Sequence, residues 1–201
     1  MTERARPYHH GSLRADVIAA AVAEVEAVGA AAVSMREIAR RAGVSHAAPV
    51  HHFGDKAGLF TAIAIEGFRR NRDATAAAVE GPRGFLAGGA AYVEFALANP
   101  GHFEVMFRPA LYRADDPDLV EARDAAYAVL EASGAQAAAE AGIDDAYGVV
   151  LAGWSLAHGV ATLLLTGNLD DRLPTETAEI MEHLGRGMTG LGYLIGQIAE
   201  D

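Results

Sequence analysis

Polar and basic side chains cluster in the segment GVSHAAPVHHFGDK, residues 43–56. Hydroxyl, imidazole and ammonium groups follow one another closely there, on Ser45, His46, His51 and Lys56. Hydroxyl and imidazole groups donate and accept hydrogen bonds, an ammonium group donates them, and the small residues between leave room for another molecule to approach. The segment therefore predicts a basic, hydrogen-bonding surface built on a turn and a very short helix.

The adjacent histidines, His9–His10 and His51–His52, raise the possibility of metal binding. Neighbouring side chains in a helix or turn point in different directions, and the chain contains no cysteine. No carboxylate cluster accompanies either pair, so we expect no metal and no cofactor. We expect His52 and Phe53 to pack in the core instead.

An enzyme is the main alternative class, and its best case is a hydrolase built on Ser155, His158 and Asp170. Ser155 and His158 lie three residues apart on a predicted helix, so their side chains could meet. No strand leads into a Gly-x-Ser-x-Gly elbow, and no oxyanion loop is visible. Asp170 lies beyond the end of the helix. The sequence therefore predicts no catalytic activity.

The elements that must position residues 43–56 are helices. A first helix is predicted from Ser12 to Gly29, with Leu13, Val17 and Ala20 on one side. The next begins at Ser34, where Glu37 three residues later completes a capping-box pattern.

Gly43 ends that second helix, and Ser45 is the next possible N-cap, so the two short helices form a helix-turn-helix. With Ser45 as N-cap, Pro49 falls at the fourth helical position and predicts a distorted helix. Asp55 is predicted to cap the longer helix that follows.

The rest of the chain is also helical by pattern, and no useful stretch alternates with the period of a strand. Helices are predicted at about 84–98, 101–108, 116–140, 144–167 and 175–198, with turn residues between them. The most apolar run, 147–165, approaches membrane-spanning length, but Trp154, Ser155 and His158 interrupt it. We expect a buried helix of a cytoplasmic protein with no membrane partner.

Charge divides the chain in two. Residues 1–72 carry ten Lys and Arg against seven Asp and Glu, whereas residues 73–201 carry six against twenty. A mildly basic head on an acidic body indicates that only the head meets a polyanion. The alternative is a solvated surface whose charge varies by chance.

A helix-turn-helix places the start of its second helix against base edges in the major groove of DNA. Arg40, Arg4 and Arg6 could add phosphate contacts from the second helix and the N-terminal arm. The predicted DNA-binding residues are Ser34, Arg36, Val44, Ser45, His46, Ala47, Ala48, His51 and Lys56.

The stretch SMREIARRAGVSHAAPVHHFGDKAGLF, residues 34–60, resembles the DNA-binding domain of the TetR family of bacterial transcription regulators. Together with the long first helix before it, the resemblance covers most of residues 11–71. In that family an aromatic residue commonly precedes the x-His-Phe motif and touches the DNA backbone; Val50 stands there in this chain. Further on, WSLAHG, residues 154–159, resembles the Trp-x-x-x-His-Gly signature of a C-terminal domain called WHG.

The resemblance implies an all-α protein with a flexible basic arm, 1–10, a helix-turn-helix domain, 11–71, and a larger helical domain, 72–201, that binds a ligand and forms a homodimer. Its partners would be a double-stranded DNA operator and a small-molecule effector that releases a repressor. A protein-interaction adaptor with a decayed DNA-binding head is a further alternative, supported only by Pro49 and Val50.

Residues of the larger domain fall into two predicted sets. The dimer interface is expected to use two apolar stripes, although both could instead face the core of one chain: Gly153, Ala157, Ala161, Ile180, Leu184, Met188, Leu191 and Ile195. The ligand pocket is expected to be mainly apolar with a few polar anchors. Its predicted residues are Tyr92, Phe95, Phe103, Met106, Phe107, Tyr127, Trp154 and His158.

Overall fold

The structure is a computed structural model that describes residues 10–81, 83–169 and 176–199, with side chains up to residue 188 in the last range. Over these ranges the chain forms helices and no strand, which confirms the predicted all-α class. A 3-10 turn at Pro109–Leu111 separates the sixth and seventh α-helices. The helices are α1 His10–Val28, α2 Met35–Arg41, α3 Ala48–Phe53, α4 Lys56–Val79, α5 Gly84–Ala98, α6 Pro100–Met106, α7 Pro117–Ala141, α8 Ala146–Leu165 and α9 Thr177–Ala199. The helices predicted beyond residue 80 agree with α5 to α9 to within about two residues at each end, the usual uncertainty of helix bounds.

The chain divides into two compact units. Among the described residues, the first comprises 10–68 together with 100–122, and the second comprises those of 69–99 together with those that follow residue 122. The predicted arm, 1–9, lies outside the described residues, as do Arg4, Arg6 and His9 within it. The domain boundary after residue 71 stays a prediction, since the compact units follow packing rather than chain order.

The first unit is built around the buried face of α1. Leu13, Val17 and Ala20 are all buried, as their helical spacing predicts. Ile38 of α2 and Phe60 of α4 are fully inaccessible to solvent in the same unit. Burying each such side chain contributes about 1.5–3 kcal/mol to the stability of the folded state, and this burial holds α1, α2 and α4 in a fixed arrangement.

Helix α6 belongs to this first unit because it packs on α1. A Cβ atom on Gly101 would lie 2.9 Å from the carbonyl oxygen of Val22, so only glycine allows this approach. The Gly101 amide donates to Glu26 Oε1 at 3.3 Å, and the Ala30 amide donates to Glu104 Oε1 at 3.0 Å. Carboxylates thus satisfy a backbone donor at each end of the contact.

The second unit is organised around α5, which packs along α8 and α9. Phe85, near the start of α5, lies against two glycines: a Cβ atom would come within 2.3 Å of its ring at Gly153 and 3.2 Å at Gly134. Side-chain size at these glycines therefore sets how closely α7 and α8 approach α5.

Within the described ranges, α8 is the one helix that length and composition alone would allow to cross a membrane. Val150, Ala157, Val160 and Ala161 are buried, and α8 packs along α5. Leu151, Leu163 and Leu165 are exposed. The helix is therefore buried on one side only, and these leucines lie on its exposed side.

Candidate DNA-binding surface and regulatory body

The turn between α2 and α3 is a tight glycine turn. Gly43 adopts φ of +67°, a conformation that L side chains rarely take. The amide of Ala42 donates to the Ile38 carbonyl at 2.9 Å, and that of Val44 donates to the Ala39 carbonyl at 3.0 Å. These bonds close the end of α2 and turn the chain toward α3 as the helix-turn-helix pattern predicts.

The start of α3 corrects the sequence prediction. Its N-cap is Ala47, not Ser45, and Pro49 occupies the first turn rather than the fourth helical position. An amide in the first turn has no intrahelical acceptor, so proline removes no hydrogen bond there. The helix is accordingly short but not interrupted, and Pro49 is buried. Ser45 and His46 lie in the preceding turn.

The predicted DNA-binding residues lie in and around this helix-turn-helix. Ser34, Arg36, Ser45, His46, Ala47 and His51 are exposed, whereas Val44, Ala48 and Lys56 are partly buried. Val50, at the position where an aromatic residue is usual in the family, is half exposed. The neighbouring rings of His51 and His52 meet edge to face, with centroids 5.3 Å apart. Phe53 is buried and His52 partly so, as expected for core packing.

The capping box predicted at the start of α2 does not form. Ser34 has an extended backbone and makes no side-chain bond to the helix. Glu37 instead accepts from Arg40 Nε at 2.9 Å, and this hydrogen bond lowers the pKa of the Glu37 carboxyl. An arginine one turn away competes for the carboxylate because it adds a full positive charge and a forked set of donors, which a single backbone amide does not.

The predicted cap of α4 is confirmed. Asp55 Oδ1 accepts from the Gly58 amide at 2.8 Å, and this bond, together with one from Arg113, holds the pKa of the Asp55 carboxyl below its usual value. Lys56 follows directly, with its Nζ donating to the Ala31 carbonyl at 3.2 Å and lying 5.3 Å from the centre of the Phe60 ring. Its ammonium group is thereby held on the surface near the loop before α2.

In the second unit, the polar and aromatic residues predicted as ligand contacts meet around α8. The Tyr92 hydroxyl and His158 Nδ1 share a hydrogen bond of 2.8 Å. The Trp154 ring lies 6.3 Å from both the Tyr127 and the His158 rings, centre to centre. Burial raises the pKa of the Tyr92 phenol and lowers the pKa of His158, because both charged forms lose solvation. Phe95 is buried in the same unit.

The other three predicted ligand contacts pack in the first unit. The rings of Phe103 and Phe107 lie 4.9 Å apart, and the Phe107 ring also meets Phe68 at 6.1 Å. Met106 is buried against Gly67, where a Cβ atom would come within 2.5 Å of its sulfur. These side chains fill the interior beside α4 and α6.

The small-residue stripe predicted for a dimer interface faces inward. Ala157 and Ala161 are inaccessible or nearly so in the single chain, and Gly153 packs on Phe85. Ile180 is also buried, so four of the named residues serve the core of one chain, the alternative that the pattern left open. Leu184 is partly buried and Met188 is exposed. The side chains of Leu191 and Ile195 lie outside the described residues.

The possible hydrolase triad gains no geometric support. Ser155 is exposed on α8, and His158 Nδ1 is bonded to the Tyr92 hydroxyl. Asp170 lies outside the described residues. Among the residues that the structure describes, no group of three metal-ligating side chains occurs either.

A groove of about 350 Å³ lies on the second unit, beside α5 and the start of α9. Small side chains, including Ala87, Ala90 and Ala178, form its floor, and Leu86 and Met181 stand beside them. The ion pair of Arg83 with Glu182 borders it. None of the residues predicted as ligand contacts lines this groove. Only the packing of distant segments creates it, so no local sequence signal marks it.

Helical architecture, an exposed helix-turn-helix and a second helical unit define a DNA-binding transcription regulator. The model for bacterial regulatory proteins of the tetR family matches residues 17–63, and a tetracyclin repressor-like C-terminal domain matches residues 85–188. The chain belongs to the TetR family, with a WHG-type C-terminal domain.

Solved structures share this fold. A protein of unknown function from Rhodococcus sp. RHA1 is 36% identical, with a TM-score of 0.75 over 91% of this chain and 96% of that one. A bacterial regulatory protein of the tetR family from Rhodococcus RHA1 is 23% identical, with a TM-score of 0.67 over 86% of this chain and 92% of that one. The TetR family regulator PfmR from Thermus thermophilus is 20% identical (TM-score 0.63; 84% and 93% covered), and at these lower identities the likeness shows the fold alone. No curated protein matches the chain.

Proposed function

We propose that this protein is a cytoplasmic repressor that binds a palindromic operator as a homodimer and leaves it when a small-molecule effector binds. The observation that carries the proposal is the exposed turn between α2 and α3, which presents Ser45 and His46 just before the second helix of the helix-turn-helix. Family membership makes transcription regulation the function; repression, the operator and the effector are the proposed part.

We assign the contacts to DNA bases to Ser45, His46 and Ala47, which are exposed directly before α3, the predicted recognition helix. Serine and histidine can hydrogen-bond to base edges, and alanine can contact a thymine methyl group. Phosphate contacts are assigned to Arg36, His51 and Lys56. Val50 cannot supply the aromatic contact to the DNA backbone that is common at this position in the family, so these three side chains are assigned the phosphate contacts.

A two-fold operator needs two DNA-binding heads, and we assign the dimer contact to the outer side of α8 with α9. Leu151, Leu163 and Leu165 are each more than a third exposed in the single chain, as is Met188 of α9. Such an apolar surface is typical of an interface between subunits. This set replaces the inward-facing Gly153, Ala157, Ala161 and Ile180.

For the effector, we keep the aromatic cluster of Tyr92, Tyr127, Trp154 and His158 as the binding site. It combines apolar rings with hydrogen-bonding groups, which is the usual composition of a small-molecule site. A hundredfold loss of operator affinity needs about 2.7 kcal/mol of coupling between the two sites. Trp154 is the only tryptophan in the chain. An effector that releases DNA should therefore change the intrinsic fluorescence, whereas release without any change would favour the groove beside α5.

The test is footprinting of the purified protein on DNA from around its own gene, across a salt series. A protected palindrome with a steep salt dependence supports a dimeric operator-binding repressor. A folded dimer that prefers no fragment over random DNA would refute it and favour the adaptor.

Two variants then test the assigned roles. His46→Ala should relax base preference, by about 1–3 kcal/mol of discrimination at one position. Lys56→Ala should weaken binding to all sequences alike and reduce the slope of log affinity against log salt by about 1. Arg123→Ala, which removes an exposed arginine of the second unit, is the control and should change neither quantity. Unchanged operator preference in His46→Ala would disprove the assigned base contact.

A further inference from the structure

Arg113 reaches the start of α4 from a segment far along the chain. It follows the 3-10 turn at Pro109–Leu111, and its backbone amide donates to Thr61 Oγ1 at 3.0 Å. Its side-chain Nη2 donates to Asp55 Oδ1, also at 3.0 Å. Backbone and side chain are therefore both attached to α4 or to its cap, within the first compact unit.

Gly54, in the turn between α3 and α4, and Gly58, in the first turn of α4, both lie beside the guanidinium group. A Cβ atom on Gly58 would lie 3.2 Å from Arg113 Nη1, and one on Gly54 would lie 3.6 Å from Nη2. Gly54 also adopts φ of +79°. The guanidinium thus lies over the turn that links the predicted recognition helix to α4, with the side chain about half exposed.

Charge gives this contact a consequence for DNA. Asp55 is an exposed carboxylate directly before Lys56, on the surface assigned to phosphates. Hydrogen bonds from the Gly58 amide and from Arg113 hold the pKa of the Asp55 carboxyl below its usual value, and an aspartate is negatively charged at neutral pH in any case. Unopposed, that charge would repel a phosphate and cancel the ammonium group of Lys56.

We infer that Arg113 is a positioning residue of the DNA-binding surface, which neutralises Asp55 and holds it on its cap so that Lys56 can meet a phosphate. This inference rests on the proposed placement of Lys56 against the DNA backbone. It adds to the helix-turn-helix a residue that lies more than fifty positions further along the chain.

The test measures affinity for a random-sequence 30-base-pair duplex by fluorescence anisotropy at low salt, which needs no knowledge of the operator. Arg113→Ala should weaken binding about fivefold, the size expected for one uncompensated surface charge near a phosphate. Arg113→Lys, which keeps the charge, should bind within about twofold of the original protein. Asp55→Asn keeps a capping side chain and should bind at least as tightly as the original.

The double variant separates charge from structure. If Arg113 acts by neutralising Asp55, Asp55→Asn combined with Arg113→Ala should recover affinity to within about twofold of Asp55→Asn alone. A double variant as weak as Arg113→Ala, or an Arg113→Ala variant that binds normally, would overturn the inference. Should Arg113→Ala not fold, Arg113→Gln takes its place in the same comparison.

Two further variants distinguish failure of this inference from failure of the proposed surface. Arg123→Ala removes an exposed arginine paired with its neighbour Asp124, and it should bind normally. Lys56→Ala should weaken binding; if it does not, the proposed DNA surface is wrong and the inference falls with it. If Lys56→Ala weakens binding and Arg113→Ala does not, only the role of Arg113 is wrong.

Discussion

Replacing Gly101 with alanine tests whether α6 is fixed to α1 in the DNA-binding unit. The added Cβ atom would lie 2.9 Å from the Val22 carbonyl oxygen, 3.0 Å from Val22 Cγ1 and 3.0 Å from Glu26 Cγ. Ordinary contacts begin near 3.4 Å. The carbonyl belongs to the backbone of α1 and cannot rotate away, so the two helices must separate by about half an ångström.

The expected cost follows from two opposing effects. Overpacking of a tight contact costs about 1–3 kcal/mol, while alanine is favoured over glycine in a helix by up to about 1 kcal/mol. We therefore expect Gly101→Ala to lower the free energy of unfolding by about 1–2 kcal/mol. In a chain of this length that corresponds to a fall in Tm of about 2–8 °C. The hydrogen bond from the Gly101 amide to Glu26, already 3.3 Å long, should weaken further.

The assay is thermal unfolding followed by circular dichroism, at one protein concentration because the proposed dimer makes Tm concentration-dependent. Gly81→Ala is the control, since its Cβ atom would meet only the Ala78 carbonyl oxygen, at 3.5 Å. That variant should unfold within about 0.5 kcal/mol of the original protein or slightly above it. A Gly101→Ala variant that is equally or more stable than the original protein would refute the close packing of α6 on α1.

Three more predictions concern ionisable side chains. Burial lowers the pKa of His158, so the unfolded chain takes up the proton at a higher pH than the folded chain does. The free energy of unfolding should therefore fall as pH drops below about 6.5, and it should fall less in His158→Asn. Urea titrations at pH 7.5 and 5.5 measure this difference. Asp145→Ala should lower the free energy of unfolding by about 1 kcal/mol in the same assay, because Asp145 caps α8 by accepting from the Gly148 amide at 2.8 Å. Asp145→Asn keeps a capping side chain and should lose little stability, so equal losses in the two variants would contradict the cap. Arg41→Ala should lower the free energy of unfolding by about 1–2 kcal/mol, because it leaves the buried Glu24 carboxylate, now 2.9 Å from Arg41, without its partner. A double variant with the apolar pair Glu24→Leu and Arg41→Met should recover most of that loss.

Local sequence rules succeeded where neighbouring residues decide the outcome. Helix bounds follow from apolar spacing and from terminators such as Gly43, whose positive φ no other residue takes as cheaply. The cap at Asp55 formed as predicted because its acceptor and the Gly58 amide belong to one turn. At Ser34 the same kind of rule failed, since Arg40, also local, is a stronger partner for Glu37.

For helix faces, the local pattern leaves two interpretations open. A stripe of small residues such as Gly153, Ala157 and Ala161 predicts close packing against another helix. It does not determine whether that helix belongs to the same chain or to a second copy. In the structure Phe85 occupies that space at Gly153, and both alanines are buried. The outer face of α8, with Trp154 and Leu163 exposed, emerges only once α5 has covered the other side.

The sequence by itself determined the all-α class, the helix-turn-helix and the family, because helical periodicity, glycine turns and the motif over residues 34–60 are local properties of the chain. Tertiary structure alone decided that α6 belongs with the DNA-binding helices and that Arg113 meets Asp55, 3.0 Å away. Contacts between residues more than fifty positions apart depend on how closely helices approach one another. That distance is set by the side chains at each crossing, as at Gly101, and no local pattern records it.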